Sequence, residues 1–430
     1  MVTTEQLYKI FLKTRSVCTD SRRVTPGSVF FALSGENFDG NNFAAQAIEM
    51  GCAYAVVDKP AVALNDKYLV VNNVLQALQD LARHHRKQLR IPVIAITGTN
   101  GKTTTKELIS AILSKKFRVN ATRGNMNNHI GVPLTILSMN HTTDMGVVEM
   151  GANHPGEIAL LCDIAQPNYG LITNIGKAHL EGFGSVEAII KTKAELYDYL
   201  MGHEGIIFLN NENPILKKLV GSYPSVNYGV SDESFCYGKI TYKEIYVGVD
   251  WICGQNTGLA YSFLIGDYNF ENILSAIAIG NYFNIAGSII DKTISTYTPS
   301  NNRSQWVKGR RNQLILDLYN ANPTSMMAAI INFNNYDNTK KCMILGDMLE
   351  LGTDSEKEHH TILDFIHNSE YSDVYLVGSV FSNFKDKFSY HFFESTELLS
   401  KYFSKNPPTG YLILLKGSRG MKLEKCVDYL

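Results

Sequence analysis

Residues 94–106, with the sequence IAITGTNGKTTTK, constrain the fold of this chain more strongly than any other segment. The apolar residues 93–96 predict a buried strand, and a helix is predicted to begin at Lys102. A glycine-rich turn between a strand and a helix binds phosphate through backbone N–H groups and the helix N-terminus. Lys102 adds a positive charge, and Thr103 offers a hydroxyl to a Mg²⁺ ion that bridges phosphates. The predicted nucleotide-binding residues of this loop are Gly98, Thr99, Asn100, Gly101, Lys102, Thr103 and Thr104.

The glycine spacing separates this loop from the common phosphate loop, G-x-x-x-x-G-K-[ST]. Two residues stand between Gly98 and Gly101, two fewer than in the common form. The loop therefore indicates a nucleotide phosphate but not an ordinary P-loop switch protein. An accidental glycine turn before a helix is the alternative, and the flanking strand and helix count against it.

Composition limits the class of protein. The chain has 430 residues, enough for two to three domains, and its net charge of −1 gives no basis for a nucleic-acid or membrane-surface partner. No apolar run approaches the roughly 20 residues of a membrane span, and the first residues lack a signal-peptide pattern. The seven cysteines are dispersed without a C-x-x-C pair, which favours free thiols over disulfides or zinc. We expect a cytoplasmic monomer that binds neither nucleic acid nor membranes.

Strands and helices alternate along most of the chain, which predicts an α/β protein of three domains. Residues 1–85 read as a small α/β domain. Residues 86–299 carry the phosphate loop on a mostly parallel sheet, as in P-loop ATPases. Residues 300–430 repeat a strand followed by a polar loop, which predicts a second open, Rossmann-like sheet with helices on both faces. Residues 301–304 form a polar, hinge-like loop between the last two domains.

Polar side chains follow several predicted strands of the central domain. Asn125, Asn127 and Asn128 offer amide donors and acceptors, either as a solvated turn or as a ligand-binding loop, and we favour the loop. Glu149 ends the strand 145–149 near the phosphate loop, a suitable place for a Mg²⁺ ligand. Its apolar neighbours favour a buried, ion-paired carboxylate over one that reaches solvent. His179 follows the next strand, beside this metal site, so we favour a functional role over a structural one.

Two further residues stand out on predicted helices of the central domain. Lys193 lies seven residues after Val186, in the middle of an apolar stripe, whereas Lys191 points to the opposite side. A buried lysine is costly unless it is paired or chemically changed, and the alternative is a stem whose ammonium reaches water; spacing alone leaves both open. Asn269 is predicted to cap the helix that follows it, which leaves Asn272, one turn further, free for a ligand.

The outer domains supply the remaining candidates. Ser21 and Arg22 lie where an α/β sheet binds ligands, although turn and helix-cap chemistry explains them equally well. Arg303 lies in the hinge-like loop, and Asp317 ends a predicted strand. Residues 416–420 form a compact cationic loop suited to a carboxylate or phosphate. The candidate substrate-binding residues of the C-terminal domain are Tyr319, Asn320, Asn322, Lys416, Ser418 and Arg419.

Taken together, these loops resemble the Mur ligases, the ATP-dependent amide ligases of peptidoglycan precursor synthesis, along essentially the whole chain. Residues 19–22 with residues 26–27 are similar to the UDP-binding N-terminal domain of that family. Residues 125–128, 319–323 and 346–352 resemble the member that joins D-alanyl-D-alanine to a UDP-MurNAc-tripeptide. The matching positions of the common family pattern are residues 97–104, Glu149, His179, Lys193, Asn272, Arg303 and Asp317.

The resemblance implies a mechanism and a set of roles. ATP would phosphorylate the terminal carboxylate of UDP-MurNAc-tripeptide, and the amine of D-Ala-D-Ala would then displace phosphate. Lys102 would stabilise the phosphoryl group, and Thr103 and Glu149 would hold one Mg²⁺ ion. His179 would hold a second Mg²⁺ ion together with Lys193, which the resemblance implies is carbamylated. The remaining implied ATP contacts are Asn272 to adenine, Asp317 to the ribose and Arg303 from the third domain.

Other functions stay open at this stage. A tripeptide-forming Mur ligase or a ligase similar to folylpolyglutamate synthase would use the same phosphoryl chemistry on another acceptor. A non-catalytic nucleotide-binding module would keep the fold without turnover. Retention of Lys102, Glu149, His179 and Lys193 argues against the module, because it would need none of them.

Overall fold

The computed structural model describes residues 1–299, 303–336, 340–369, 371 and 373–430. Over these residues, three main sheets of four, nine and six strands follow one another along the chain, each with helices packed against it. This arrangement confirms the predicted three-domain α/β architecture. Asn301 and Asn302 of the predicted hinge lie outside the described residues. No helix in the described ranges is both long and apolar enough to cross a membrane.

The N-terminal domain is a parallel sheet in the strand order β1-β2-β5-β6, with a separate two-stranded ribbon. Its strands are β1 (Val17–Cys18), β2 (Val29–Phe31), β3 (Ser34–Gly35), β4 (Phe38–Asp39), β5 (Tyr54–Val57) and β6 (Tyr68–Val70). Its helices are α1 (Thr4–Thr14), α2 (Ala44–Glu49) and α3 (Val74–Gln88). Short 3-10 helices span Ser21–Arg23, Gly40–Phe43 and Pro60–Val62. The predicted domain boundary at residues 85 and 86 falls inside α3.

The central domain carries the nine-stranded sheet. Its strands are β7 (Val93–Thr97), β8 (Val119–Ala121), β9 (Met145–Glu149), β10 (Tyr169–Ile172), β11 (Ile206–Asn210), β12 (Ser225–Gly229), β13 (Cys236–Lys243), β14 (Tyr246–Cys253) and β15 (Asn256–Ile265). Its helices are α4 (Lys102–Leu113), α5 (Gly131–Ser138), α6 (Glu157–Ala165), α7 (Leu180–Phe183), α8 (Val186–Gly202), α9 (Pro214–Val220), α10 (Asn269–Tyr282) and α11 (Gly287–Thr296).

The order of this sheet is β15-β14-β13-β12-β11-β10-β7-β9-β8, and β8 through β13 run parallel. All five residues of β7 are buried, as its apolar sequence predicts. The chain leaves β7 toward β8 and β9 on one side and returns to β10 on the other. The carboxyl end of β7 is therefore a topological switch point, where an open α/β sheet forms its ligand crevice.

The C-terminal domain has the strand order β16-β17-β21-β18-β19-β20, parallel except for β16. Its strands are β16 (Gln305–Lys308), β17 (Gln313–Asp317), β18 (Lys341–Gly346), β19 (Val374–Val377), β20 (His391–Phe393) and β21 (Leu412–Lys416). Its helices are α12 (Pro323–Asn334), α13 (Ser355–His367), α14 (Ser379–Ser382) and α15 (Thr396–Phe403). The 3-10 helices span Gly352–Asp354, Arg419–Met421 and Leu423–Tyr429.

Asn269 is not the cap that its position predicts. Helix α10 already includes it, and Tyr268 stands at the cap without a side-chain hydrogen bond to the helix. The Asn269 amide instead donates to the carbonyl of Ile265 at 2.8 Å and accepts from Asn272 Nδ2 at 2.9 Å. The residue thus joins the end of β15 to the first turn of α10.

A buried arginine ties the first two domains together. The Arg86 guanidinium, on α3, donates to the carbonyls of Ala165 at 2.7 Å and Gln166 at 2.9 Å, where α6 ends. It also donates to Asn168 Oδ1 at 3.1 Å, which in turn accepts from the backbone N–H of Val93 at 3.0 Å. Arg86 therefore fixes α3 against the start of β7, the strand that leads to the phosphate loop.

We predict that Arg86→Met destabilises the fold by about 2–4 kcal/mol, because it leaves buried carbonyl groups without donors. The midpoint of urea unfolding, followed by far-UV circular dichroism, measures the effect. Arg90→Met is the matched control, since Arg90 is exposed four residues further along. Equal midpoints for the two variants would show that the Arg86 hydrogen bonds contribute nothing to stability.

Candidate active site

One cavity of about 610 Å³ lies between the central and C-terminal domains. The carboxyl ends of β7, β9 and β10 open into it from one side, and those of β17 and β21 from the other. Every residue predicted from the sequence as catalytic, nucleotide-binding, metal-binding or substrate-binding lines this cavity, except Ser21 and Arg22. Residues from two domains therefore converge on one cleft, which is large enough for a nucleotide and part of a second substrate.

Two glycines with positive φ angles determine the shape of the phosphate loop. Gly98 and Gly101 have φ angles of 141° and 79°. A Cβ atom at Gly98 would overlap the hydroxyl of Thr173, and one at Gly101 would overlap the side-chain oxygen of Asn272. The Lys102 ammonium donates to the carbonyls of Gly98 at 2.8 Å and Thr99 at 2.9 Å. Burial lowers the pKa of Lys102 to about 8.

Glu149, at the end of β9, is buried, and its two carboxylate oxygens differ in their hydrogen bonding. Its Oε1 accepts from Asn127 Nδ2 at 2.8 Å and from Thr103 Oγ1 at 3.2 Å. Within the described part of the chain its Oε2 has no hydrogen-bond partner, and the Lys106 ammonium lies 3.9 Å away. An orphaned carboxylate oxygen beside a hydroxyl and a phosphate loop fits a Mg²⁺ ion. Over the described residues no group of three or more His, Cys, Asp or Glu side chains forms a metal site, but Mg²⁺ bound to nucleotide phosphates needs only one or two carboxylates.

Lys193 is buried on α8, with 3% of its surface exposed, and this decides between the two alternatives that the spacing leaves open. Lys191 is exposed on the opposite side. Burial lowers the pKa of Lys193 to about 7, and the positive charge of Lys102 acts in the same direction. Its ammonium also lies 6.0 Å from the centre of the Phe183 ring. The alternative of an ammonium that reaches water is therefore wrong.

Asn272 lies behind the phosphate loop. Its Oδ1 accepts from Thr105 Oγ1 at 3.0 Å, and its Nδ2 donates to Asn269. The side chain is therefore already hydrogen-bonded, whereas its distance from the helix cap predicted a side chain free for a ligand. It still reaches the cavity, beside Gly101.

His179 meets a residue that the sequence did not identify as functional. Its Nδ1 lies 2.5 Å from Glu350 Oε2, on the loop after β18 of the C-terminal domain. This hydrogen bond lowers the pKa of the Glu350 carboxyl. Lys106, beside Glu149, was missed as well. Residues 346–352 were noticed as a pattern, but nothing in their spacing indicated contact with a histidine 171 residues away.

The C-terminal side of the cavity is rich in cations. The Arg303 guanidinium stacks 3.5 Å above the Tyr319 ring, and its buried Nε has no hydrogen-bond partner among the described residues. Lys416 is buried and forms an ion pair with Asp317 at 2.5 Å. The charge of Lys416 is therefore neutralised within the domain. The other positive charge of the predicted cationic loop is on Arg419, which is exposed and lies 5.7 Å from the centre of the Tyr319 ring.

Most of the predicted polar loop residues have local partners. Asn128 Oδ1 accepts from the backbone of Ile130 and Gly131. Asn320 Oδ1 accepts from its neighbour Ala321, and Ser418 Oγ accepts from Leu349 N at 2.9 Å. Asn322 caps α12, and its Nδ2 also donates to Asn100 Oδ1 at 2.9 Å. This last bond joins the C-terminal domain directly to the phosphate loop.

Ser21 and Arg22 lie outside the cavity, in the N-terminal domain. Asp20 caps their 3-10 helix and accepts from the Arg22 backbone at 3.0 Å and from its Nε at 2.9 Å. Ser21 is buried and Arg22 is exposed. The helix cap is therefore present, with Asp20 as the capping residue, and the Arg22 side chain lies at the surface.

Models of known protein families match all three parts of the chain. Residues 13–86 match the model described as "Mur ligase family, catalytic domain". Residues 96–280 match "Mur ligase middle domain", and residues 302–419 match "Mur ligase, glutamate ligase domain".

Whole-chain relatives give the same family. The UDP-N-acetylmuramoyl-tripeptide–D-alanyl-D-alanine ligase of Bacillus subtilis is 36% identical, over 96% of this chain and 92% of its own length. A crystal structure of MurF from Acinetobacter baumannii is 29% identical, with a TM-score of 0.87 over 99% of this chain and 97% of that one. The MurF ligase of Thermotoga maritima, solved in complex with ADP, is 27% identical with a TM-score of 0.85, over 97% of each chain.

We predict that Gly98→Ala weakens ATP binding about tenfold or more, which corresponds to about 1.4 kcal/mol. The added Cβ has no room beside Thr173, and the loop must move away from its phosphate-binding shape. Isothermal titration with ATP and Mg²⁺ measures the change. Gly202→Ala is the control, because nothing lies within 4 Å of a Cβ at that position. Unchanged affinity in Gly98→Ala would show that the loop geometry does not determine binding.

Proposed function

This chain belongs to the Mur ligase family, and we propose that it joins D-alanyl-D-alanine to UDP-MurNAc-tripeptide with cleavage of ATP to ADP and phosphate. The observation that carries the proposal is the cavity between two domains, which places a phosphate loop opposite polar loops of the C-terminal domain. Relatives named for this reaction align with nearly the whole chain. Its seven buried, free cysteines and its nucleotide substrates fit a reaction in the cytoplasm.

The chemistry requires activation, because a carboxylate is a poor electrophile. In the first step a carboxylate oxygen of the tripeptide attacks the γ-phosphorus of ATP, and the bond to the ADP oxygen breaks. In the second step the amine of D-Ala-D-Ala attacks the acyl carbon, phosphate leaves, and the nitrogen loses a proton. Such transfers depend mostly on positioning and on neutralisation of charge.

We assign residues of both the central and the C-terminal domain to the ATP site. Lys102 exchanges its two carbonyl partners in the loop for phosphoryl oxygens, which are stronger acceptors. The buried Nε of Arg303 has no partner in the described residues, and Arg303 would reach ATP from the C-terminal side. Asp317 would accept from the ribose hydroxyls, and Asn272 would contact adenine. Closure of the domains about the hinge near residue 300 would then complete the site.

Mg²⁺ fits the site beside the phosphate loop. Thr103 and Glu149 would hold one ion through the hydroxyl and the unpartnered Oε2. When bound, Mg²⁺ neutralises negative charge on the phosphate oxygens. His179 and a carbamylated Lys193 would hold a second ion on the acyl side of the cavity.

The surroundings of Lys193 support the carbamate. A pKa of about 7 leaves much of the amine neutral at physiological pH, and only the neutral nitrogen attacks CO₂. The new N–C bond forms with loss of one proton, and the product is an anionic oxygen ligand. This change removes a buried positive charge that lies close to Lys102.

The remaining residues are assigned to the two larger substrates. Residues 1–85 would bind the UDP group, with Ser21 and Arg22 among the contacts. Residues 86–299 would bind ATP, and residues 300–430 would bind the acceptor. The residues assigned to the peptide parts of the substrates are Asn125, Asn127, Asn128, Tyr319, Asn320, Asn322, Lys416, Ser418 and Arg419.

We predict that phosphate release by the purified protein depends on ATP, UDP-MurNAc-tripeptide and D-Ala-D-Ala together. A coupled phosphate assay with a panel of acceptors measures this, with diaminopimelate, lysine and glutamate in place of the dipeptide. The Lys102→Ala variant provides the background rate. Release from the UDP-MurNAc-dipeptide with diaminopimelate or lysine, but not from the tripeptide with D-Ala-D-Ala, would favour a tripeptide-forming ligase. Release from a folate with glutamate would favour a ligase similar to folylpolyglutamate synthase.

Replacement of Lys193 tests the carbamate. We predict that Lys193→Ala abolishes product formation and that formate or acetate restores part of it, because a free carboxylate can occupy the position of the carbamate. Lys191→Ala is the matched control on the exposed side of α8 and should keep full activity. Full activity of Lys193→Ala without added carboxylate would refute this role.

A further inference from the structure

The contact between His179 and Glu350 crosses from one domain to the other. His179 follows β10 of the central domain, and Glu350 follows β18 of the C-terminal domain. The two side chains meet at 2.5 Å, and both line the cavity. The two side chains belong to different domains, so the contact exists only while the domains are docked.

The backbone around this contact is specialised. His179 and Glu350 both adopt left-handed conformations, with φ angles of 51° and 64°, which non-glycine residues rarely adopt. The N–H of Glu181 also donates to the carbonyl of Glu350 at 3.3 Å. Two loops with strained residues thus meet face to face, and strain of this kind is concentrated at functional sites.

The chemistry of the pair determines the state of the imidazole. An ionised carboxylate only accepts hydrogen bonds, so Nδ1 of His179 must carry the hydrogen. In the neutral ring, Nε2 then keeps its lone pair and is the nitrogen left to act as an acceptor or ligand. Carboxylates that accept from one imidazole nitrogen commonly orient the ring and make the other nitrogen more basic.

We propose that Glu350 is a positioning residue, which holds His179 as the Nδ1–H tautomer from across the domain interface. This role rests on the proposed function of His179 in the ligase reaction. It couples domain docking to the chemistry, because the C-terminal domain carries the carboxylate that orients a side chain of the central domain. Glu350 thereby makes the site complete only in the docked arrangement.

A second ion pair across the same interface provides a matched control. Lys177 Nζ lies 2.6 Å from Glu358 Oε1, and Glu358 is buried on α13. Neither residue lines the cavity. If Glu350 only clamped the domains together, loss of Glu358 should have the same consequences as loss of Glu350. If Glu350 orients His179, the two losses should differ.

The first test is ¹⁵N NMR of the full chain with labelled histidine rings, with the His179 signals identified by their loss in His179→Gln. We expect His179 to be the Nδ1–H tautomer in the wild-type protein and in Glu358→Ala. We expect that preference to be lost in Glu350→Ala. A wild-type His179 protonated on Nε2, or an unchanged tautomer in Glu350→Ala, would overturn the proposal whatever the activity of the protein.

The second test is a double-mutant cycle on kcat. We expect Glu350→Ala to lower kcat about 10- to 100-fold, in the range of lost carboxylate partners of functional histidines, with little change in KM for ATP. Added to His179→Ala, it should cause no further loss, whereas the effect of Glu358→Ala should multiply with that of His179→Ala. Glu350→Gln, which keeps an acceptor oxygen, should retain more activity than Glu350→Ala.

The outcomes separate this proposal from the proposed function. Independent, multiplying effects of Glu350→Ala and His179→Ala would overturn the positioning role while the ligase function stands. A wild-type protein that forms no product from the three substrates would refute the function, and the NMR result would still decide whether Glu350 sets the tautomer. Unchanged ATP affinity in each variant verifies that the phosphate loop is intact.

Discussion

The turn from β7 into α4 is the constraint on which the rest of the site depends. Gly98 and Gly101 leave no room for a side chain, because Thr173 and Asn272 occupy the space that a Cβ would need. The loop after β10 is therefore pressed against the phosphate loop, and Thr99 N donates to the Asn174 carbonyl at 2.9 Å. The same loop after β10 carries His179 toward the C-terminal domain. A phosphate site and a domain interface are thus built from one close contact between two strand ends.

The charges in the cavity suit substrates that bring many negative charges of their own. Lys193 is buried and Lys102 is half-buried, and desolvation lowers the pKa of each. Lys416 is paired with Asp317, whereas the buried Nε of Arg303 has no partner in the ranges that the structure describes. Nucleotide phosphates and a peptide carboxylate supply the missing negative charge. The desolvated positive charges therefore destabilise the free protein, and binding of the negatively charged substrates offsets this cost.

Local sequence patterns give the position of a residue when its surroundings are determined by its own helix or strand. The spacing of α8 placed Lys193 on the apolar face but left open whether its ammonium is buried, and the strand ending at Glu149 placed a carboxylate beside the phosphate loop. The predicted cap of α10 was wrong because the Asn269 side chain bonds back to Ile265 in the preceding strand, and Asn269 is already the first residue of the helix. Glu350 was missed for a different reason: its partner lies in another domain, and residue spacing carries no information about how two sheets dock.

The central claim is that this cavity transfers the γ-phosphoryl group of ATP to a peptide carboxylate. It is tested most directly with UDP-MurNAc-tripeptide that carries ¹⁸O in its terminal carboxylate, together with ATP and D-Ala-D-Ala. Mass spectrometry of the released inorganic phosphate follows the label. Transfer through an acyl phosphate predicts one ¹⁸O atom in each phosphate, because the bridging oxygen leaves with phosphorus. Unlabelled phosphate, formed at the rate of the peptide product, would contradict the account.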